Sequence, residues 1–161
     1  MDKRRVVVVG AGIYGVTAAL ELARRGHAVE LLDPGPLPHP LAASTDISKA
    51  IRMDYGPDED YLAAMERALE AWRRWNAGWP RPLFHEQGVL FLTAEPMKPG
   101  GFEYESHRLL RKRGHRPERL DAASIRARFP AWAEGGYVDG YYNPEGGFAE
   151  SGQVLGHACN R

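Results

Sequence analysis

The spacing of apolar residues changes twice along the first 33 positions, which predicts a strand, a helix and a second strand. Residues 6–9 are four consecutive valines, a run typical of a parallel strand buried on both faces. A second apolar run at residues 28–32 predicts the other strand. Between them the helix is predicted to begin near Ile13 and to end at Gly26. Its apolar face consists of Ile13, Val16, Ala19, Leu20 and Ala23.

A long amphipathic helix is predicted to begin after Asp58, whose carboxylate can cap the first turn, and to end before Gly78. Its apolar residues recur at helical spacing. A stripe with this period is more typical of a core face than of a cofactor box, although it contains tryptophan and methionine. The stripe consists of Leu62, Met65, Leu69, Trp72 and either Trp75 or Asn76.

The pattern breaks at residues 79–82, where we expect a domain boundary, and shorter elements follow. In order, they are a strand at 88–93 with 83–85 as its possible partner, a helix at 104–113, a short helix capped by Asp121, a strand at 136–143, and a helix from about Glu150 with Val154, Leu155 and Ala158 on its apolar side.

Composition excludes several classes of partner. The chain has 161 residues, with 21 Lys and Arg against 21 Asp and Glu, so the charge balance does not favour a polyanion or a membrane surface. Cys159 is the single cysteine, and no Cys/His spacing suits a metal. No apolar run is long enough to span a bilayer, and the valine run begins too early for a signal peptide to precede it. We therefore expect a reducing cytoplasmic location.

One basic cluster could be interpreted as a nucleic-acid patch. No aromatic ladder or binding motif accompanies it, so a solvated helix face is the preferred interpretation and nucleic acid is not an expected partner. The cluster consists of Arg108, Arg111, Lys112, Arg113, His115, Arg116 and Arg119.

Three glycines stand between the first strand and the first helix at the spacing of a dinucleotide-binding turn. Gly10 permits the tight turn, Gly12 lets the backbone approach a pyrophosphate, and Gly15 lets the helix pack close to the strand. The helix N-terminus attracts anions without a nearby lysine. Asp33 ends the second strand, where its carboxylate can accept hydrogen bonds from the adenosine ribose. The strand, turn, helix, strand and acid together predict a dinucleotide cradle.

The segment after Asp33 bears on the choice of cofactor. Residues 34–44 are proline-rich and cannot continue as a helix leading to a third strand, which favours a flavin over a nicotinamide. Beyond them Lys49 and Arg52 stand three residues apart, so a helix at residues 44–56 would place both cations on one face. They could lie near the cofactor ring, with one of them binding a substrate carboxylate, or they could be solvated surface cations.

With these residues identified, the chain resembles the N-terminal part of the FAD-dependent oxidoreductases of the D-amino acid oxidase family, in the sarcosine oxidase-like branch. Besides the glycine motif, the resemblance rests on SKAIRMDYG at residues 48–56, GVLFL at 88–92, RFP at 128–130 and GGFAESG at 146–152. It covers nearly the whole chain. It implies an α/β fold, with a Rossmann-type βαβ cradle for FAD and part of an α+β substrate domain.

The resemblance also implies three segments and a set of site residues. We expect residues 1–80 to belong to the FAD-binding domain, 81–143 to a partial substrate domain and 144–161 to an incomplete return to the FAD domain. The resemblance places the FAD pyrophosphate at Gly10, Gly12, Gly15 and the Ile13 amide, the ribose at Asp33, further cofactor contacts at Ala11, Tyr14 and Ser44, the flavin ring beside Ser48 and Lys49, and the substrate carboxylate at Arg52. Lys49 and Arg52 are therefore the candidate catalytic residues. The sarcosine oxidase-like pattern has arginine where this chain has Lys49.

The implied reaction is hydride transfer from the carbon next to nitrogen of an amino acid or N-methyl amino acid to flavin N5. Members of this family are more than twice as long, so we expect a truncated protein that is inactive alone and needs its missing C-terminal half or a partner chain. Two alternatives remain open on the residues alone. One is an NAD-dependent dehydrogenase or reductase half, and the other is a non-catalytic nucleotide-binding subunit completed by a partner.

Overall fold

The computed structural model describes residues 2–160. Within that range the chain forms five α-helices and eight β-strands, with a 3₁₀ turn at Pro130–Trp132. In chain order the elements are β1 (Arg5–Val9), α1 (Ile13–Arg24), β2 (Ala28–Leu32), β3 (Lys49–Ile51), α2 (Glu59–Ala77), β4 (Phe84–His85), β5 (Val89–Thr93), α3 (Phe102–Lys112), β6 (Glu118–Asp121), α4 (Ala122–Arg128), β7 (Asp139–Asn143), β8 (Gly147–Ala149) and α5 (Ser151–Cys159).

Contacts divide the chain into two compact units. The first unit contains the residues up to Lys49 and those from Ala149 onwards, and the second unit contains Ala50–Phe148. These boundaries differ from the sequence-based division at residues 80/81 and 143/144, because α2 packs into the core of the second unit. Which segments belong to the cofactor and substrate domains by function stays a prediction.

The first unit contains the predicted strand–helix–strand motif. Strands β1 and β2 are parallel, with Val6 opposite Val29 and Val9 opposite Leu32. Helix α1 begins at Ile13 as predicted and ends one residue before Arg25, and Gly26 follows with a φ of 88° that suits glycine. A small core joins α1 to α5. It consists of Ala11, Val16, Leu155 and Ala158, with Leu20, Leu31 and Cys159 packed against it.

The prediction that the valine strand is buried on both faces is wrong for this chain. Its residues alternate between partly buried and exposed, with Val7 56% and Val9 80% exposed, and Leu32 on the neighbouring strand is 46% exposed. The sheet of the first unit has two strands, and α1 packs on only one of its faces. The other face, with Val7, Val9 and Leu32, is an apolar surface open to solvent. Ala23, expected on the apolar face of α1, is also exposed and lies in the last turn of the helix.

The second unit is built around the long helix α2. Asp58 caps it through a hydrogen bond from the Tyr61 amide to the carboxylate (3.1 Å), and it ends before Gly78, both as predicted. The apolar stripe of α2 is a core face, also as predicted. The core consists of Met53, Leu62, Leu69, Phe84, Leu109, Leu110 and Tyr141, with Met65 and Trp72 among the residues packed against it.

Two small sheets accompany α2 and α3. One has the order β3–β8–β4, and the other is antiparallel with the order β5–β7–β6. The predicted strand at residues 88–93 is therefore confirmed as β5, but its expected pairing with residues 83–85 is wrong. Its partner is β7, from residues about 50 positions later, and β4 pairs with β8 instead. Asn76 holds β4 in place, since its side chain accepts hydrogen bonds from the amides of Leu83 (2.8 Å) and Phe84 (2.9 Å).

Candidate functional site

The three glycines of the turn after β1 have distinct surroundings. Gly10 has a φ of 97°, a conformation that L side chains rarely adopt. A Cβ on Gly15 would lie 1.7 Å from the carbonyl oxygen of Gly10, so only glycine allows α1 to approach the turn this closely. A Cβ on Gly12 would meet nothing nearer than the Ser44 Oγ at 3.8 Å. Space in front of the Gly12 backbone is thus open.

Asp33 ties the end of β2 to the glycine turn. One carboxylate oxygen accepts a hydrogen bond from the Ala11 amide (2.8 Å), and the other accepts one from the Gly35 amide (3.0 Å). These backbone hydrogen bonds, the one from Ala11 first, hold the pKa of Asp33 below its usual value. The group is therefore a carboxylate at neutral pH. Each oxygen keeps a further lone pair that can accept a hydrogen bond from a ribose hydroxyl.

Ser44 caps helix α1 from 31 residues away. The Ile13 amide donates to the Ser44 Oγ (3.2 Å), although this amide is predicted to face the pyrophosphate. The next amides of the first turn, those of Tyr14 and Gly15, have no acceptor one turn earlier in the helix and can bind an anion. Tyr14 itself is 91% exposed. A phosphate at this end of α1 would therefore meet the amides of the first turn together with the Ser44 hydroxyl.

Residues 44–52 contain four of the predicted site residues and are not helical. Lys49–Ile51 is the strand β3, so the helical spacing that would place Lys49 and Arg52 on one face does not apply, and that prediction is wrong. Ser48 is exposed, and the Lys49 ammonium pairs with the Asp46 carboxylate at 2.7 Å. Lys49 and Arg52 belong to different units of the chain.

Asp46 is a residue that sequence reasoning did not identify. Its carbonyl oxygen accepts hydrogen bonds from the Ser151 hydroxyl (2.9 Å) and the Gly152 amide (3.0 Å) at the start of α5. The Ser-Gly pair at residues 151–152 belongs to the last motif of the resemblance, but no local signal links that motif to Asp46. This connection fixes the segment that bears Ser44 and Lys49 to the first unit.

Arg52 lies in the second unit, directly after β3. Its guanidinium donates a hydrogen bond to the backbone oxygen of Asp54. The guanidinium carbon lies 4.9 Å from the centre of the Tyr55 ring and 5.7 Å from that of Phe102. Arg52 is partly buried and held on several sides, so it is not a freely solvated surface cation.

The basic cluster in the second half of α3 and directly after it is largely neutralised by neighbouring carboxylates. Arg113 pairs with Glu66 (2.6 Å) and Glu59 (3.2 Å), and Lys112 also pairs with Glu59. The Arg113 guanidinium is the main cause that lowers the pKa of Glu66 to about 2. This pairing supports the interpretation of the cluster as a helix surface rather than a nucleic-acid patch.

His115 in this cluster is expected to make stability depend on pH. Burial disfavours its charged form, but hydrogen bonds with Glu66 (2.9 Å) and Glu145 (2.5 Å) outweigh that cost and raise its pKa. The charge on His115 therefore stabilises the fold fully below about pH 6.5, the unfolded value, and this stabilisation is lost as the pH rises through the folded pKa. Urea unfolding of the second unit between pH 6 and 9 measures this loss.

Substituting His115→Gln should flatten that pH dependence. Glu95→Gln is the control, because Glu95 pairs with Lys98 on the surface and is 80% exposed at its side chain. In the control, the free energy of unfolding should change with pH as it does in the wild type. If it also changes with pH as in the wild type in His115→Gln, the assignment of the pH dependence to His115 is contradicted.

Other kinds of site are absent from the described residues. No group of three or more His, Cys, Asp or Glu side chains between residues 2 and 160 is arranged to hold a metal ion. None of the helices described is both long enough and apolar enough to cross a membrane. His107 packs with its ring edge-on to Tyr141, at 5.5 Å between ring centres, in keeping with a packing role.

Comparison with known proteins identifies a family and several relatives. The family model described as "FAD dependent oxidoreductase" matches residues 5–158. L-saccharopine oxidase of Schizosaccharomyces pombe is 31% identical over 112 residues, which are 68% of this chain and 25% of that protein. Peroxisomal sarcosine oxidase of Mus musculus is 31% identical over 124 residues, 77% of this chain and 31% of that protein. The chain thus spans about a quarter to a third of the length of these curated relatives.

A solved structure shares the fold. The crystal structure of a modified fructosyl peptide oxidase from Aspergillus nidulans superposes with a TM-score of 0.77 at 23% identity, and the match covers 98% of this chain and 38% of that one. The predicted α/β fold and the prediction of FAD as the cofactor of the family are confirmed. The match favours the flavin over the nicotinamide alternative that the residues alone leave open.

Proposed function

The chain belongs to the family of FAD-dependent oxidoreductases, and from this premise we propose that it is the FAD-binding N-terminal part of an oxidase or dehydrogenase for amino acids or N-methyl amino acids. The observation that carries the proposal is the family match over residues 5–158, which coincides with a glycine turn whose geometry suits a pyrophosphate. Curated relatives named as sarcosine and L-saccharopine oxidases support this substrate class. A cytoplasmic location is part of the proposal, although the mouse relative is named as peroxisomal.

FAD fits the residues of the first unit. The open space at Gly12 admits a pyrophosphate against the backbone, where a side chain would intrude. Amides of the first turn of α1, including those of Tyr14 and Gly15, would donate to the phosphate oxygens, and the Ser44 hydroxyl lies beside them. Asp33 is charged and keeps lone pairs for the ribose hydroxyls.

When bound, FAD supplies an acceptor for the hydride on the carbon next to the amino nitrogen, which leaves an imine that water hydrolyses. The residues of this chain would bind and orient. Arg52 would hold the substrate carboxylate, because a guanidinium can donate two parallel hydrogen bonds to it. Ser48 and Lys49 would lie beside the flavin ring, where the ammonium keeps the positive charge that an arginine provides in the sarcosine oxidase-like pattern.

We also propose that further polypeptide completes the first unit. A parallel sheet is normally covered on both faces, whereas Val7, Val9 and Leu32 form an apolar surface open to solvent on one face of this two-stranded sheet. A segment that adds strands and covers that face would bury these side chains. The substrate pocket would also need residues from that segment, so the 161-residue chain alone is expected not to turn over substrate.

The visible spectrum of the purified chain tests the proposal. We expect the chain to take up FAD, counted per chain after release by denaturation, and to show no amine-dependent oxygen consumption. Co-expression with the polypeptide encoded immediately downstream should raise FAD occupancy and restore turnover. Failure to bind FAD both alone and with that polypeptide would refute the function, and turnover by the chain alone would refute the need for completion.

A further inference from the structure

The turn between β3 and α2 is anchored to the second unit by a buried polar network. Asp54 is fully buried, and its Oδ1 accepts a hydrogen bond from the Tyr141 hydroxyl (2.7 Å) on β7. Two residues further on, the Gly56 amide donates to the Ser106 hydroxyl (2.7 Å) on α3. The turn is therefore held by a strand on one side and by a helix on the other.

The same turn determines where the Arg52 side chain lies. The Asp54 backbone oxygen accepts the hydrogen bond from the guanidinium, and Tyr55, the next residue, places its ring against it. Phe102 contributes a second ring from α3. Holding a long arginine side chain in one conformation costs rotamer entropy, so these contacts must be fixed for the guanidinium to stay ordered.

We propose that Asp54 and Tyr141 are positioning residues that hold the backbone acceptor of Arg52, and so the guanidinium itself, in a fixed orientation for an anionic group of the substrate. The proposal rests on the proposed function, which gives Arg52 the substrate carboxylate. Asp54 is suited to this task because its side chain and its backbone oxygen have different partners. The side chain is hydrogen-bonded to Tyr141 on β7, and the backbone oxygen accepts the hydrogen bond from the Arg52 guanidinium.

Tyr141 is a rigid anchor. Its ring is fully buried and stacks on Phe91 at 5.1 Å between ring centres, with His107 edge-on from α3. Its hydroxyl hydrogen bond with Asp54 joins two fully buried groups. A change at the hydroxyl alone should therefore reach the turn without moving the ring.

The part of Asp54 that the proposal uses is the Oδ1 atom that accepts the Tyr141 hydrogen bond. Burial raises the pKa of Asp54, although the Tyr141 hydroxyl and the nearby Asn143 amide partly oppose that effect. Its second oxygen and the Asn143 Nδ2 are both buried without a well-aligned hydrogen bond in the described structure. Asparagine keeps an oxygen that can accept the Tyr141 hydrogen bond, which makes Asp54→Asn a conservative variant.

The experiment follows the Arg52 Nε–H group by NMR relaxation in the 161-residue chain, without cofactor. In the wild type we expect an order parameter of about 0.85, and in Tyr141→Phe a value below about 0.6. Tyr142→Phe is the matched control, because Tyr142 also lies on β7 and its hydroxyl donates to the Gln87 backbone oxygen instead (2.7 Å). The control should keep the wild-type value.

Two further variants separate positioning from a general loss of stability. Asp54→Asn should keep Arg52 ordered, whereas Asp54→Ala should release it. Leu120→Ala removes a buried side chain on β6, so it lowers stability but should leave the Arg52 value unchanged. An Arg52 group that stays ordered in Tyr141→Phe, or that loosens equally in Leu120→Ala, would overturn the proposal. Because the measurement needs no FAD, failure of the proposed function would appear separately, as an absence of FAD binding.

Discussion

Replacing Gly15 with alanine is expected to destabilise the first unit strongly and to weaken FAD binding. The added Cβ would lie 1.7 Å from the carbonyl oxygen of Gly10 and 2.9 Å from its carbonyl carbon, both backbone atoms that cannot turn aside. The helix must therefore move away from the glycine turn, which breaks its packing on β1. Overpacking at a tight site costs about 3 kcal/mol or more, against a typical total stability of about 5–15 kcal/mol. Thermal unfolding followed by circular dichroism measures the loss.

Gly12→Ala is the matched control for that experiment, because it separates folding from cofactor binding. Gly12 has a φ of −69°, which alanine adopts without strain, and its Cβ would meet only the Ser44 Oγ at ordinary contact distance. The variant should melt close to the wild type. Its methyl group would nevertheless occupy the space offered to the pyrophosphate, so we expect FAD affinity to fall about tenfold or more, as for an unmade contact of 1.4 kcal/mol. A Gly15→Ala protein that melts and binds FAD like the wild type would contradict this account.

The parts of the fold that follow from the sequence are those specified locally. The three glycines each answer a steric need of the turn in which they stand, and Asp33 follows at the spacing that brings it back to the Ala11 amide. Helix starts were also predicted correctly at Asp58 and Asp121, because an N-cap carboxylate binds an amide three residues later in the chain. All of these signals lie within about 25 residues.

The features that the sequence did not predict depend on residues far apart in the chain. Strand β5 pairs with β7, and no local sequence pattern specifies which short strands pair or in which register. Ser44 caps α1 from 31 positions away, and the order of Arg52 depends on Asp54, whose own partner is 87 positions distant. The exposed valines of β1 are a different case. Their sequence is typical of a fully covered strand, but in the first unit they lie in a two-stranded sheet that leaves one face exposed.

Removing the carboxylate of Asp139 is expected to cause the largest loss of stability in the second unit. Asp139 begins β7, the central strand of its sheet, and is 8% exposed. It accepts hydrogen bonds from the amides of Met97 (2.8 Å) and Gly140 (2.7 Å) and two from the guanidinium of Arg119. Asp139→Ala would leave two backbone donors unsatisfied beside a partly exposed arginine. We expect a cost of about 3 kcal/mol in urea unfolding at neutral pH.

Glu118→Gln is the control for Asp139→Ala. Glu118 on the adjacent strand β6 pairs with Arg128 on the surface (2.5 Å), so removing its charge should lower the free energy of unfolding by about 0.5 kcal/mol or less.

Unfolding at acid pH provides a second test of the role of Asp139. Burial opposes the charge of Asp139, but its hydrogen bonds outweigh that cost and lower its pKa. Its stabilisation is therefore present above about pH 3.9, the unfolded value, and is lost as the pH falls through the folded pKa. The difference in free energy of unfolding between the wild type and Asp139→Ala should become smaller as the pH falls through that range. A small difference at neutral pH would show that β7 is held in place without Asp139.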